Sequence, residues 1–74
     1  GIAGVCIIHK NVPAMLTKIM ATLSDDNINV ENMTNKSKKD YAYTMVDLGS
    51  KVGDNVIEDV RRTANVIRVR SLEW

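Results

Sequence analysis

The chain has 74 residues, 45% of them hydrophobic, and its ten Lys and Arg against nine Asp and Glu leave a formal net charge of +1. That length makes one domain, and a domain this small buries only about 60% of its unfolded surface, so its core is thin and oligomerisation would help it. The charge balance argues against nucleic acid as the main partner, the lone cysteine excludes an internal disulfide and fits a reducing, cytoplasmic compartment, and no apolar run approaches the ~18 residues of a membrane span.

Ile2 to His9 is mostly apolar and reads as a buried strand. Pro13 then opens a helical pattern running to about Asp26, with Leu16, Ile19, Met20 and Leu23 on one stripe. Asp25-Asp26-Asn27 ends it. Asn29 to about Ser37 alternates polar and apolar residues as a second strand. Lys38-Lys39-Asp40 forms a hairpin tip, and Tyr41 to Leu48, rich in Tyr, Thr and Val, is a third strand. Gly49 to Gly53 reads as a loop. Asp54 is placed to cap a second helix with Val56, Ile57, Val60 and Ala64 on its inner face, and Asn65 is suited to the left-handed position after it. Val66 to Leu72 is the last strand, with Ile67 and Val69 inward and Arg68 and Arg70 outward.

The order strand, helix, strand, strand, helix, strand is the α+β, ferredoxin-like βαββαβ plan. Right-handed crossovers then give a four-stranded antiparallel sheet in the order 4-1-3-2, with both helices on one face. A chain that lacks an initiator Met and enters a strand almost at once is expected to be one domain cut from a longer protein.

The chemistry concentrates at His9-Lys10-Asn11-Val12-Pro13, where a strand hands over to a helix N-terminus. Free backbone N–H groups and the positive end of the helix dipole suit an anionic group there. His9 and Asn11 can each donate and accept, which is what a zwitterionic amino acid asks of its site. They could equally finish the strand and cap the helix. Asn29 lies beyond the far end of the first helix. About 14 helical residues at ~1.5 Å each separate it from His9 by roughly 20 Å, so it cannot reach the same ligand within one chain. In a two-fold dimer joined along the second strand, which is an open sheet edge, one chain's His9 end can face the other's Asn29.

Other residues carry less. Cys6 and His9 are three apart on a strand, face opposite ways, and form no nucleophile–base pair. No second Cys or His supports a zinc site, and no catalytic constellation is present. Lys36, Lys38 and Lys39 read as solvated, edge-protecting charge, while Arg61, Arg62, Arg68 and Arg70 add two other basic spots. An RNA-binding sheet of this plan would need aromatics on its first and third strands; Tyr41 and Tyr43 share a face of the third, but the first has none. Met15, Met20, Met33 and Met45 read as core or interface filling.

Taken together, His9-Lys10-Asn11-Val12-Pro13, Met15-Leu16-Thr17-Lys18, Ile28-Asn29-Val30, Met33-Thr34-Asn35-Lys36-Ser37, Tyr41-Ala42-Tyr43-Thr44 and Val66-Ile67-Arg68-Val69-Arg70 resemble an ACT domain over essentially the whole chain. More narrowly, they are similar to the C-terminal ACT domains of D-3-phosphoglycerate dehydrogenases, NAD-dependent enzymes that begin serine biosynthesis. The resemblance implies a non-catalytic regulatory domain with no cofactor of its own. Its parent enzyme would use NAD on separate catalytic domains. It also implies that L-serine, or a related small amino acid, binds between two such domains and inhibits the enzyme. His9 and Asn11 would hold the ligand, Val12, Pro13 and Ala14 would support it, and Asn29 of the neighbouring chain would complete the site. One departure bears on the ligand: where the serine-binding domains have Gly after the Pro, this chain has Ala14. The alternatives are a structural dimerisation module with no ligand and, further off, a nucleic-acid-binding domain of the same plan.

Overall fold

The computed structural model describes residues 2–72. In chain order the elements are β1 (Ile2–Lys10), α1 (Met15–Asp25), β2 (Val30–Lys38), β3 (Tyr41–Val52), α2 (Asp54–Arg61) and β4 (Val66–Leu72). All three strand pairings are antiparallel, and the sheet order is β2-β3-β1-β4. The chain has the ferredoxin-like βαββαβ fold anticipated from its pattern.

Strand parity explains which residues are inside. Val5 pairs with Val46, Ile7 with Thr44 and His9 with Ala42, and all six are buried on the helix-covered face. α1 contributes Met15, Ile19 and Leu23 to the core, and α2 contributes Val56, Ile57 and Val60. The α1 stripe is thus centred one residue earlier than the apolar spacing implied, with Leu16 and Met20 half-buried on its flank. Where the helices meet, the Thr22 and Thr63 hydroxyls lie 3.2 Å apart.

Several boundaries move, each for a local reason. α1 begins at Met15 and not Pro13, because Ala14 takes a left-handed conformation with φ 66°, which no helix continues. β3 runs on through Gly49, Ser50 and Lys51 to Val52, the segment that reads as a loop. A register shift between Ile2 and Gly4 of β1 absorbs the extra β3 residues, and Val52 pairs with Ile2. Gly49 N–H also donates to the Asn29 carbonyl at 2.7 Å, holding this extension against the entry to β2. At α2 the N-cap is Gly53 in an extended conformation; Asp54 is the first helical residue and makes no capping bond. The helix stops at Arg61, so Ala64 lies outside it and is exposed. Asn65 takes the left-handed conformation expected of it, as do Asn27 after α1 and Lys39 at the hairpin tip. In β4 a shift opposite Ile8 and His9 leaves Ile67 without a partner and turns it out to 59% exposure, while Val66 packs on the core in its place.

Candidate functional site

The ends of β1 and α1 and the middle of β2 enclose a groove of about 280 Å³, lined by His9, Asn11, Val12, Ala14, Met15, Leu16, Thr17 and Asn35. Its floor is a chain of buried polar groups. His9 is 2% exposed and Thr44 is fully buried. The His9 ring approaches the Lys10 carbonyl through Nδ1 at 3.0 Å and the Thr44 hydroxyl through Nε2 at 2.9 Å. A carbonyl only accepts, so Nδ1 donates to Lys10, while Nε2 and the Thr44 hydroxyl share one hydrogen bond. The Asn35 side-chain amide lies 3.4 Å beyond Thr44 Oγ1. Mutual bonding is what allows His9 and Thr44 to be buried at all. It also means that both ring nitrogens of His9 are engaged within the chain.

Asn11 is exposed and anchors the groove loop. Its backbone N–H donates to the Asp40 carbonyl at 3.0 Å, and its side-chain Nδ2 donates to the Lys39 carbonyl at 3.0 Å, leaving Oδ1 as the remaining polar atom of that amide. Val12 N–H turns back to the Lys10 carbonyl, which shapes the loop before Pro13.

The N-terminus of α1 forms the remaining wall. The first backbone bond into the helix is Lys18 N–H to the Ala14 carbonyl at 3.0 Å. The N–H groups of Met15, Leu16 and Thr17 therefore precede the intrahelical ladder, no side chain caps them, and the first turn carries no acid. Orphan donors and the positive dipole end together favour an anionic group at this wall. The Ala14 backbone is in the region that glycine adopts at no cost, and Ala14 lines the groove beside those donors.

Of the residues singled out in the sequence, His9, Asn11, Val12 and Ala14 line one groove; Pro13 is exposed in the turn beside it. Asn29 is not part of it. It sits past the far end of α1, exposed, with its carbonyl bonded to Gly49, so within one chain the two ends stay apart. Sequence reasoning missed Asn35 and Thr44. The signal was available: a hairpin turning at Lys39-Asp40 pairs Lys38 with Tyr41, and counting back sets Asn35 opposite Thr44 on the helix-covered face. Among the described residues, no group of three or more His, Cys, Asp or Glu could hold a metal ion, and no helix is long and apolar enough to cross a membrane.

No family model matches the chain, and no curated protein matches it. Solved structures do. The solution structure of the ACT domain from GTP pyrophosphokinase of Chlorobium tepidum superimposes with a TM-score of 0.76 at 18% identity, covering 100% of this chain and 88% of that one. An ACT domain protein from Streptococcus pneumoniae gives 0.72 at 16% identity over 93% of this chain and 86% of that one. The acetolactate synthase small subunit of Thermotoga maritima gives 0.70 at 17% identity over 96% of this chain and 47% of its own length. At such identities the likeness is one of fold, and the fold is that of ACT domains.

Proposed function

We propose that this chain is a small-molecule-binding regulatory domain of the ACT kind, and that its groove takes a free amino acid. The observation that carries this reading is the uncapped, acid-free N-terminus of α1 opening onto a groove walled by Asn11 and Asn35. The ligand carboxylate lies against the N–H groups of Met15, Leu16 and Thr17. The two asparagine amides meet the ammonium and the side chain. His9 acts from behind, fixing Thr44 and through it Asn35. ACT domains of the same fold belong to a GTP pyrophosphokinase, which supports a regulatory module attached to an enzyme.

The finer reading rests on the motif resemblance. It makes the ligand L-serine and the parent a cytoplasmic, NAD-dependent 3-phosphoglycerate dehydrogenase whose catalytic domains lie elsewhere in the protein. Two copies join along β2, and Asn29 of the neighbour closes the groove. Inhibition then follows if serine binds one conformation of the parent more tightly than the other. An unliganded assembly module is the second reading, favoured by the internal bonding of both His9 nitrogens and by the Ala14 methyl group.

Thermal unfolding with and without millimolar L-serine separates the two. A ligand that binds only the native state raises the midpoint, by the equivalent of about 2.7 kcal/mol at a hundred times its Kd. The expected shift disappears in Asn35→Ala and in Asn29→Ala. No shift with serine, glycine or alanine overturns the effector reading, and a shift surviving Asn29→Ala overturns the shared seam.

A further inference from the structure

The face of the sheet turned away from the helices has an organisation that the near-neutral composition conceals. The strand registers set it out in rows. Lys36, Tyr43, Ile8 and Arg68 form one row across β2, β3, β1 and β4, and Thr34, Met45, Cys6 and Arg70 form the next. Lys38, Tyr41 and Lys10 form a third across the first three strands. The middle of the face is therefore apolar and lies on β3 and β1, with Met45 42% and Tyr41 46% exposed. Both outer strands carry cations. Lys10, Lys36, Lys38, Arg68 and Arg70 are half of the chain's ten basic residues. Among the described residues in these registers the opposing acid is Asp47 alone.

We infer that this face is a docking surface for one amphipathic helix of a partner protein, with an apolar stripe bordered on both sides by carboxylates. The dimensions select a helix. β2 and β4 are three strand spacings apart, roughly 14 Å, and an α-helix with its side chains is about 10–12 Å across. A helix laid along β1 and β3 puts its stripe on Ile8, Tyr43, Met45 and Cys6. Its flanks then meet Lys36 and Lys38 on one side and Arg68 and Arg70 on the other. Tyr, Met and Arg around an apolar centre with a charged rim is the composition of a protein interface. A second copy does not fit, because two such faces would bring five cations against five. The chain's own helices do not fit either, because both are packed on the opposite face. Single-stranded nucleic acid would be drawn by the same charge, but it needs stacking platforms, and the β1 residues of these three rows are Ile8, Cys6 and Lys10, none of them aromatic.

The test uses the chain as it stands and a designed 18-residue helix with leucines along one stripe and glutamates on both flanks. Amide shifts on titration should concentrate at Ile8, Tyr43 and Met45 and leave the α1 groove unmoved. The double variant K36E/R68E changes exposed positions on opposite edges. It should weaken binding of the glutamate peptide at least tenfold and should bind the lysine-flanked version of the peptide instead. No binding, or shifts confined to the helix-covered face, overturns the proposal. So does tighter binding of a twelve-residue oligouridine than of the peptide, or self-association mapped to these rows. None of these outcomes depends on whether the groove binds an amino acid.

Discussion

The two helices of this chain begin in opposite ways. α2 follows the electrostatic rule: an acid, Asp54, in its first turn, a base, Arg61, in its last, and an ion pair between Glu58 and Arg61 along its exposed side. α1 inverts it. Neither helix has a side-chain cap, but the first turn of α1 has no acid, a left-handed alanine precedes it, and two acids, Asp25 and Asp26, stand at its far end. An unassisted helix start that also forms a wall of the groove is stability given up at a place where a ligand can restore it. A bound carboxylate, as proposed for the groove, would supply at the start of α1 the negative charge that Asp54 supplies at the start of α2.

The largest effect should come from removing the support beneath the start of α1. Thr44→Val keeps the shape of a fully buried side chain but leaves His9 Nε2 without its hydrogen-bond partner. A loss of about 2 kcal/mol is expected by chemical denaturation, with binding of any groove ligand weakened as Asn35 loses its anchor. A loss as small as that of a surface substitution would show that His9 and Thr44 do not depend on each other.

The next effect has the opposite sign. Ala14→Gly relieves a left-handed alanine and should stabilise the chain by about 1 kcal/mol, while opening the groove where the methyl group stood. Gly53→Ser, the matching change before α2, adds a capping hydroxyl at an extended position and should gain only a few tenths of a kcal/mol. Equal responses at the two positions would erase the contrast between the helix starts.

The smallest effect is read by its pH dependence. Asp26 closes α1 and faces Asp59 of α2. Its carboxyl is held above the ordinary 3.8 chiefly by the hydrogen bond it can make to Asp59, then by burial, then by the charges of Asp59 and Asp25. That bond exists only while one of the two acids holds a proton; with both ionised, Asp26 Oδ2 is buried without a partner. A raised folded-state value means the native chain binds the proton more tightly than the unfolded chain. The pair therefore destabilises at neutral pH, and the penalty is relieved as pH falls through the raised value towards 3.8. Asp26→Asn should accordingly raise the unfolding midpoint at pH 7 and lose that advantage at pH 3.5. An advantage independent of pH would show that it does not come from the Asp26 carboxylate charge.

Much of this architecture is written in local pattern. The order of elements and the left-handed Asn65 follow from apolar spacing and turn chemistry that act over a few residues, and the sheet order then follows from the handedness of the crossovers. What escaped depends on contacts between distant segments. Gly49 and Ser50 look like loop residues, yet the strand continues through them: Gly49 bonds to the entry of β2, and Val52 beyond them pairs with Ile2 of β1. Ile67 has the right parity for the core, but a one-residue register shift on β4 turns it out. At the groove, the spacing brought out His9 and Asn11 but not Asn35, which reaches the site only through strand pairing. Ala14 was visible as a departure from glycine, and its backbone angle gives that departure a physical cost.

The two bonds from Asn11 to the turn at Lys39 and Asp40 carry one more consequence. They fasten the loop that shapes the groove to the hairpin that ends the edge strand, although 28 residues separate Asn11 from Lys39. Segments tied in this way open together, so the amide hydrogens of the loop and of the hairpin turn should exchange with solvent at a common rate. Slowing one by filling the groove should slow the other, and that shared clock is how an event in the groove becomes perceptible at the rim of the sheet.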